Sequence, residues 1–186
     1  KGLSVSVRAS FISARPSEQI NEVHSSLLKK GISCHKLCFD LSEAQNWEAL
    51  CTEAYEAFGG IDYLFLNGGV SQRALALDTS ETAMRKLMEI NFFSQVNLAQ
   101  TLCKKALNKQ RTLHLIPSNS IVSFYGFYLR STYSASKHAM KGYFESLALE
   151  TKGQGIKVTQ VFAGKINTNI SEKAFNNSGE ASKEND

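Results

Sequence analysis

Apolar residues along the chain follow two alternating patterns. Five short and nearly continuous apolar runs are typical of strands buried on both faces, and they cover residues 3–14, 32–39, 61–66, 111–117 and 156–162. Four longer segments repeat apolar residues at helical spacing, and they cover residues 17–30, 42–58, 79–108 and 131–152. Because strands alternate with helices, the pattern predicts an α/β fold in which helices cover both faces of a parallel sheet.

Residues that begin and end helices support these boundaries. Gly31 is expected to end the first helix, because glycine readily takes the left-handed conformation found at helix ends. Ser42 is expected to cap the second helix, and Thr79 or Ser80 the third. Their side-chain oxygens can accept hydrogen bonds from the first N–H groups of a helix.

Polar residues and glycines follow each predicted strand. Ligands on parallel sheets bind beyond the carboxyl ends of the strands. The residues at those ends are Arg15, Asp40, Asn67-Gly68-Gly69, Ser118-Asn119-Ser120 and Ala163-Gly164. The sequence therefore predicts a cleft lined by this polar, glycine-rich set.

Composition and charge narrow the class of protein. The 186 residues fit one domain, which we expect over residues 1–175, followed by a polar, disordered tail over residues 176–186. The net charge of +4 comes from scattered residues, and no basic run suggests a nucleic-acid partner. No apolar run approaches membrane-spanning length, and we expect no secretory signal at Lys1. The four cysteines form no metal-ligand set and are expected to be thiols: Cys34, Cys38, Cys51 and Cys103.

Tyr133 and Lys137 form a candidate catalytic pair on the last predicted helix. Residues four apart share one helix face, so the phenol and the ammonium can point at the same place. A nearby cation favours the phenolate and lowers the pKa of a tyrosine. The pattern is weak alone, because tyrosine and lysine are common on helices.

Several motifs in order resemble those of the short-chain dehydrogenase/reductase family. The matching positions are Ile61-Asp62-Tyr63-Leu64 with Asn67-Gly68-Gly69, Asn91, Ser120 thirteen residues before Tyr133, the Tyr133 and Lys137 pair, and Ala163-Gly164 with Thr168. The resemblance implies a Rossmann-like fold and an oxidoreductase that transfers hydride between a nicotinamide cofactor and a carbonyl or secondary alcohol.

The family assigns a role to each catalytic position. Ser120 would donate a hydrogen bond to the substrate carbonyl, and Tyr133 would give or take the proton. Lys137 would hold the nicotinamide ribose and lower the pKa of Tyr133. Asn91 would anchor a water that connects Lys137 to solvent. An alternative for Asn91 is a helix-interior side chain that only hydrogen-bonds backbone.

The resemblance also implies a cofactor site. Asp40 would contact the adenine amine, although it could serve only as a cap between strand and helix. Arg15 sits where members that prefer NADP place an arginine for the 2′-phosphate, so NADP is favoured over NAD, unless Arg15 is a solvated surface charge. The remaining cofactor contacts are expected from Asn67, Gly68, Gly69, Tyr133, Lys137, Gly164 and Thr168.

Within the family, residues 71–80, Asn119-Ser120 and the Lys137 helix look most like the membrane-associated subgroup that includes dehydrogenase/reductase SDR family member 7. This likeness suggests lipophilic substrates such as steroids or retinoids. The family resemblance implies a homodimer. The expected compartment is the cytoplasm or, as the subgroup suggests, the endoplasmic reticulum. Tyr125, Phe127 and Tyr128 would line a substrate pocket or only pack.

The chain differs from the family at both ends. The T-G-x-x-x-G-I-G loop, the first strand and helix, and the last strand have no counterpart in these residues. We therefore expect a truncated form of the family fold. The alternative to an enzyme is a non-enzymatic interaction protein that has lost cofactor binding.

Overall fold

The computed structural model describes residues 9–43, 45–164 and 174–180. The chain forms two compact units, Lys1–Ile61 and Asp62–Asp186. The single domain expected over residues 1–175 stays a prediction.

The described residues of the first unit form two strands and two helices. They are β1 (Ala9–Ala14), α1 (Glu18–Lys29), β2 (Ser33–Cys38) and α2 (Trp47–Ala57). The strands pair in parallel, from Ala9 opposite Ser33 to Ala14 opposite Cys38. Helix α1 ends as predicted, before Gly31 with its φ of 75°. Residues 3–8 of the first predicted strand lie outside the described residues.

The start of α2 differs from the prediction. Its N-cap is Asn46, whose side chain accepts a hydrogen bond from the Ala49 N–H at 3.0 Å. Ser42 is not the cap. Its N–H and hydroxyl both donate to Oδ1 of Asp40 at 2.8 Å, because an aspartate after a strand readily folds the following residues into a turn.

The second unit contains the larger sheet. Its elements are β3 (Tyr63–Leu66), α3 (Glu81–Met88), α4 (Ser94–Asn108), β4 (Leu113–Ser120), α5 (Ser131–Glu150), β5 (Ile156–Val158) and β6 (Val161–Ala163). Strand β4 lies at the centre and pairs in parallel with β3, β5 and β6. The predicted parallel α/β architecture is confirmed.

Strand β4 extends further than the sequence indicates. The expected polar turn Ser118-Asn119-Ser120 is the end of this strand, and it pairs with residues Val161 to Ala163 of β6. The last predicted strand, residues 156–162, is split into β5 and β6, with Thr159 and Gln160 between them. Both pieces pair with β4, so the polar end of β4 is held by backbone hydrogen bonds to a distant segment.

The predicted helix over residues 79–108 is interrupted. Ser80 caps α3 by accepting a hydrogen bond from the Ala83 N–H at 3.2 Å, as expected. A π-helical turn, Glu89–Phe93, then joins α3 to α4. Such turns add one residue to a helix and occur often at functional sites.

The segment 174–180 packs against residues 71–80 of the same unit. The Phe175 N–H donates to the oxygen of Ser71 at 2.8 Å, and the Arg73 N–H donates to the oxygen of Phe175 at 2.7 Å. The Ser80 N–H donates to the oxygen of Asn177 at 2.9 Å. Residues 176–180 are thus held in place, which differs from the expected disordered tail, while residues 181–186 lie outside the described residues.

The core of the second unit lies where the helices cover the central strand. Large side chains there are almost fully buried, and they include Leu66, Leu87, Leu102, Leu113, Leu115, Met140 and Phe144. Along β4, buried and half-buried residues alternate, as expected for a strand packed by helices. Of the helices in the described part of the chain, none has the length and apolar character needed to span a bilayer.

Candidate active site

Helix α5 carries the tyrosine and the lysine that the sequence pairs. Tyr133 is the third residue of the helix, and Lys137 follows one turn later on the same face. Lys137 is only 7% exposed. Its Nζ donates to the backbone oxygen of Ser118 at 2.9 Å and lies 5.9 Å from the centre of the Tyr133 ring. The predicted proximity of the two side chains is confirmed.

Ser120 reaches Tyr133 from the end of β4. The Ser120 side chain is hydrogen-bonded to Tyr133, and its Oγ also accepts a hydrogen bond from the Val122 N–H at 3.4 Å. Because Ser120 pairs with Ala163 of β6, its backbone is fixed within the sheet. A hydroxyl, a phenol and an ammonium therefore meet where β4 ends and α5 begins.

Burial dominates the protonation of this cluster. It raises the pKa of Tyr133, while the hydrogen bond from Ser120 and the charge of Arg130 lower that pKa by less. Burial also lowers the pKa of Lys137 to about 8. The sequence predicted that the nearby lysine lowers the pKa of Tyr133, whereas the net effect of the protein's own groups is to raise it.

Asn91 lies in the π-helical turn and is completely buried. Its Oδ1 accepts a hydrogen bond from the Val70 N–H at 2.8 Å. Its Nδ2 donates to the Val70 oxygen at 2.9 Å and to Oγ of Ser136 at 3.1 Å. Oγ of Ser136 donates in turn to the backbone oxygen of Tyr133 at 2.8 Å. The Asn91 amide therefore ties the loop after β3 to the first turns of α5, through the Val70 backbone on one side and the Ser136 hydroxyl on the other.

Gln95 holds the same loop from the next turn of the helix. Its Nε2 donates to the Gly68 oxygen at 3.0 Å and to the Ile90 oxygen at 3.4 Å. Asn91 and Gln95 together fix the backbone of residues 68–70. No local sequence pattern indicates this role of Gln95, because Gly68 lies 27 residues away along the chain.

Gly69 is required by the close approach of this loop to the site. A Cβ at Gly69 would lie 3.2 Å from Oδ1 of Asn91 and 3.9 Å from Nζ of Lys137. Asn67 and Gly68, which precede it, are exposed. The loop after β3 thus presents backbone and little side chain beside the buried lysine.

Four further cofactor residues were predicted, namely Gly164, Thr168, Arg15 and Asp40. Gly164 is exposed and directly follows β6, and Thr168 lies outside the described residues. Arg15 and Asp40 belong to the first unit, where they follow β1 and β2 at the same edge of the parallel pair. Arg15 is exposed, and the carboxylate of Asp40 binds Ser42.

Exposed aromatic side chains fill the connection between β4 and α5. The exposed fractions are 57% for Phe124, 45% for Tyr125, 57% for Phe127 and 76% for Tyr128. Of the two alternatives for Tyr125, Phe127 and Tyr128, these values favour an apolar contact surface over internal packing. The surface lies between Ser120 and Tyr133 in the chain.

Gln72 is a second residue beside the site whose contacts no local sequence pattern indicates. It is 1% exposed, and its Oε1 accepts hydrogen bonds from the N–H groups of Thr132 and Tyr133 at 2.8 and 3.2 Å. Those groups open α5, and Gln72 lies 60 residues before them. A local pattern could not reveal this contact.

Comparison of the sequence with protein families gives one match over most of the chain. A profile described as short chain dehydrogenase matches residues 6–179. Dehydrogenase/reductase SDR family member 7B of Bos taurus is 32% identical over 165 residues, which cover 87% of this chain and 50% of that protein. Dehydrogenase/reductase SDR family member 7 of Homo sapiens is 33% identical over 177 residues, which cover 92% of this chain and 51% of that protein. The chain spans about half the length of these relatives.

Solved structures with the same fold are more distant in sequence. A metagenomic short-chain oxidoreductase in complex with NADP superposes with a TM-score of 0.77 at 22% identity, over 84% of this chain and 71% of that one. A short-chain dehydrogenase/reductase from Burkholderia phymatum in complex with NAD superposes with a TM-score of 0.81 at 18% identity, over 89% and 68%. At this identity the comparison shows the fold.

Proposed function

This chain belongs to the short-chain dehydrogenase/reductase family, and on that premise we propose that it transfers hydride between a nicotinamide cofactor and a carbonyl or secondary alcohol. One observation carries the proposal. The Ser120 side chain is hydrogen-bonded to Tyr133, and the buried Lys137 ammonium lies beside the same ring. These are the three groups that the family uses for proton transfer.

The residues present suit a dinucleotide cofactor. The buried ammonium of Lys137 and the phenol of Tyr133 can donate hydrogen bonds to the ribose hydroxyls. Asn67 and Gly68 are exposed, which leaves room for the cofactor to approach the loop closely. Asn67, Gly68, Gly69, Gly164 and Thr168 would hold the rest of the nicotinamide half. When bound, the cofactor supplies or accepts the hydride.

The chain's own residues would then handle the substrate oxygen and its proton. Ser120 donates a hydrogen bond to the carbonyl oxygen, where negative charge develops during reduction. Tyr133 gives that oxygen its proton. A buried phenol with a raised pKa is protonated at neutral pH, so Tyr133 holds the proton that carbonyl reduction consumes. Asn91 would contribute by fixing the loop after β3 and the start of α5. As in the family, it would also anchor a water that connects Lys137 to solvent.

The substrate is a lipophilic carbonyl compound or alcohol of the steroid or retinoid kind. The support is the exposed aromatic surface of Phe124, Tyr125, Phe127 and Tyr128 between the two catalytic residues. Burial of aromatic and apolar substrate surface against these rings would contribute most of the binding free energy.

NADP is proposed as the preferred cofactor, with NAD as the weaker one. Arg15 is exposed at the carboxyl end of β1, where a guanidinium can pair with a 2′-phosphate. Asp40, at the end of β2, would contact the adenine. The two similar structures bind NADP and NAD respectively, so the preference depends on Arg15. Arg15→Ala is expected to weaken NADPH binding and leave NADH binding nearly unchanged.

Assembly and location follow the family by analogy. We propose a homodimer, and either the cytoplasm or the endoplasmic reticulum as the compartment. The alternative function, a non-enzymatic interaction protein, predicts that the chain binds neither NADPH nor NADH.

The test combines cofactor binding with one substitution. NADPH is titrated into the chain and binding is followed by fluorescence, and then acetophenone or retinaldehyde reduction is measured by NADPH absorbance. Tyr133→Phe is expected to lower kcat by about 10²–10⁴-fold, since it removes the proton donor. Tyr143→Phe, on the same helix but outside the cluster, is the control and should keep its activity. Unchanged reduction by a folded Tyr133→Phe protein would refute the assignment.

A further inference from the structure

Helix α5 begins without a cap of its own. Its N-cap residue, Arg130, makes no side-chain capping hydrogen bond. The first N–H groups of a helix have no acceptors within it, and leaving them without partners in a buried place is unfavourable. Thr132 is buried and Tyr133 is half-buried, so water does not readily replace a cap here.

The side chain of Gln72 supplies the missing acceptor from another part of the chain. Its Oε1 accepts from the N–H groups of Thr132 and Tyr133 at 2.8 and 3.2 Å. Its Nε2 donates to Oγ1 of Thr79 at 2.8 Å. Oγ1 of Thr79 uses its own proton on the Leu75 oxygen at 2.8 Å. Donors therefore surround Oε1 and an acceptor faces Nε2, so the amide has only one favourable orientation.

The backbone of Gln72 is fixed as firmly as its side chain. The guanidinium of Arg130 donates to the Gln72 oxygen. Both neighbours of Gln72 form backbone hydrogen bonds with Phe175. The Phe175 N–H donates to the Ser71 oxygen at 2.8 Å, and the Arg73 N–H donates to the Phe175 oxygen at 2.7 Å. Gln72 is thus held between segment 174–180 and the start of α5.

We propose that Gln72 is a positioning residue, which caps α5 from outside and thereby holds the Tyr133 phenol against Ser120. Tyr133 and Ser120 come from different elements, and the hydrogen bond between them requires the first turn of α5 to stay formed. Loss of the cap frays that turn and releases Tyr133. The consequence for catalysis rests on the proposed function, but the capping and the contact with Ser120 do not.

The first experiment compares two substitutions at opposite ends of the same amide. Gln72→Met keeps the length of the side chain and removes the acceptor for α5. Thr79→Val, the control, removes the partner of Nε2 and leaves Oε1 in place. Hydrogen exchange of residues 130–137 is expected to become about ten-fold faster in Gln72→Met, the size of effect typical for loss of an N-cap, and to stay as in the wild type in Thr79→Val.

The second experiment reports on the position of the phenol itself. Tyrosine ionisation is followed by absorbance as the pH is raised, in the wild type and in Tyr133→Phe. The difference between the two titration curves is the titration of Tyr133. Burial raises the pKa of Tyr133, and the Ser120 hydroxyl and the Arg130 charge lower it by less; Nζ of Lys137 also faces the ring, 5.9 Å from its centre. Ser120→Ala is expected to raise the pKa of Tyr133 in the wild type and to have no further effect in Gln72→Met, where the two side chains are already apart.

A third variant keeps the test decisive if Gln72→Met does not fold. Gln72→Glu retains an acceptor for α5, so its exchange in residues 130–137 should match the wild type.

Equal exchange in Gln72→Met and Thr79→Val, an undiminished Ser120→Ala effect in Gln72→Met, or fast exchange in Gln72→Glu would each overturn the proposal. None of these readouts needs a cofactor, so they remain informative if the chain has no reductase activity. If it is active, Gln72→Met is expected to lower kcat about ten-fold without changing KM.

Discussion

The buried ammonium of Lys137 makes the stability of this protein depend on pH in a predictable direction. Burial lowers the pKa of Lys137 from 10.5 to about 8 in the folded state. Between these two values the unfolded chain binds more protons than the folded one. Raising the pH through this range therefore stabilises the fold, because Lys137 is then neutral in the folded protein and no buried charge has to be desolvated.

The size of this effect follows from the shift. Each pKa unit corresponds to about 1.4 kcal/mol, so the difference between 10.5 and about 8 amounts to about 3 kcal/mol, gained between pH 8 and 10.5. Lys137→Met removes the ammonium and keeps the length of the side chain. The wild type should thus gain about 3 kcal/mol relative to this variant over that range.

The assay is urea unfolding of both proteins at pH 7.5 and pH 10. The comparison must be made between variants at one pH, because burial also raises the pKa of Cys103 to about 11, which destabilises the fold as pH rises. Lys141→Met is the control, since Lys141 lies one turn further along α5 and pairs with Glu145 at the surface. If the difference between wild type and Lys137→Met is the same at both pH values, the reasoning about the buried ammonium is wrong.

Two further predictions concern the loop after β3. Asn91→Leu keeps most of the side-chain volume but removes three hydrogen bonds and leaves the Val70 N–H and oxygen without partners, so unfolding should become about 3 kcal/mol easier in urea. A loss below about 1 kcal/mol would contradict this account. Gly69→Ala should cost about 1–2 kcal/mol, since its Cβ would lie 3.2 Å from Oδ1 of Asn91, which is already hydrogen-bonded. Gly142→Ala, in α5 with nothing within 4 Å, is the matched control and should gain up to about 1 kcal/mol; equal effects of the two alanines would rule out the contact at Gly69.

Local patterns predicted those parts of the site that depend on neighbours in the chain. The segment Ser131–Glu150 is helical as expected, and the spacing of Tyr133 and Lys137 places them on one face. The first residue of a helix was harder to predict where two possible N-cap residues lay close together in the chain. Ser80 caps α3, but Asn46 rather than Ser42 caps α2, since Ser42 is bound to Asp40.

Contacts between distant segments could not be predicted in the same way. Polar residues at Ser118-Asn119-Ser120 look like a turn, and only their pairing with β6 makes them a strand. The role of Gln72 depends on N–H groups 60 residues away. The pKa of Tyr133 depends mainly on burial, which a sequence does not show. The prediction therefore considered only a lowering of this pKa by the neighbouring lysine and missed the larger raising by burial.

The π-helical turn has a consequence for anyone who redesigns this protein. One extra residue in a helix rotates everything after it by about 100° relative to a regular α-helix. Helices α3 and α4 therefore follow two rotational frames, which change at Glu89–Phe93, where Asn91 turns inward. A design that assigns core and surface positions by one continuous repeat over residues 81–108 would expose the apolar face of one half. Deleting a single residue from the turn would merge the two frames and move Asn91 away from the loop that it holds.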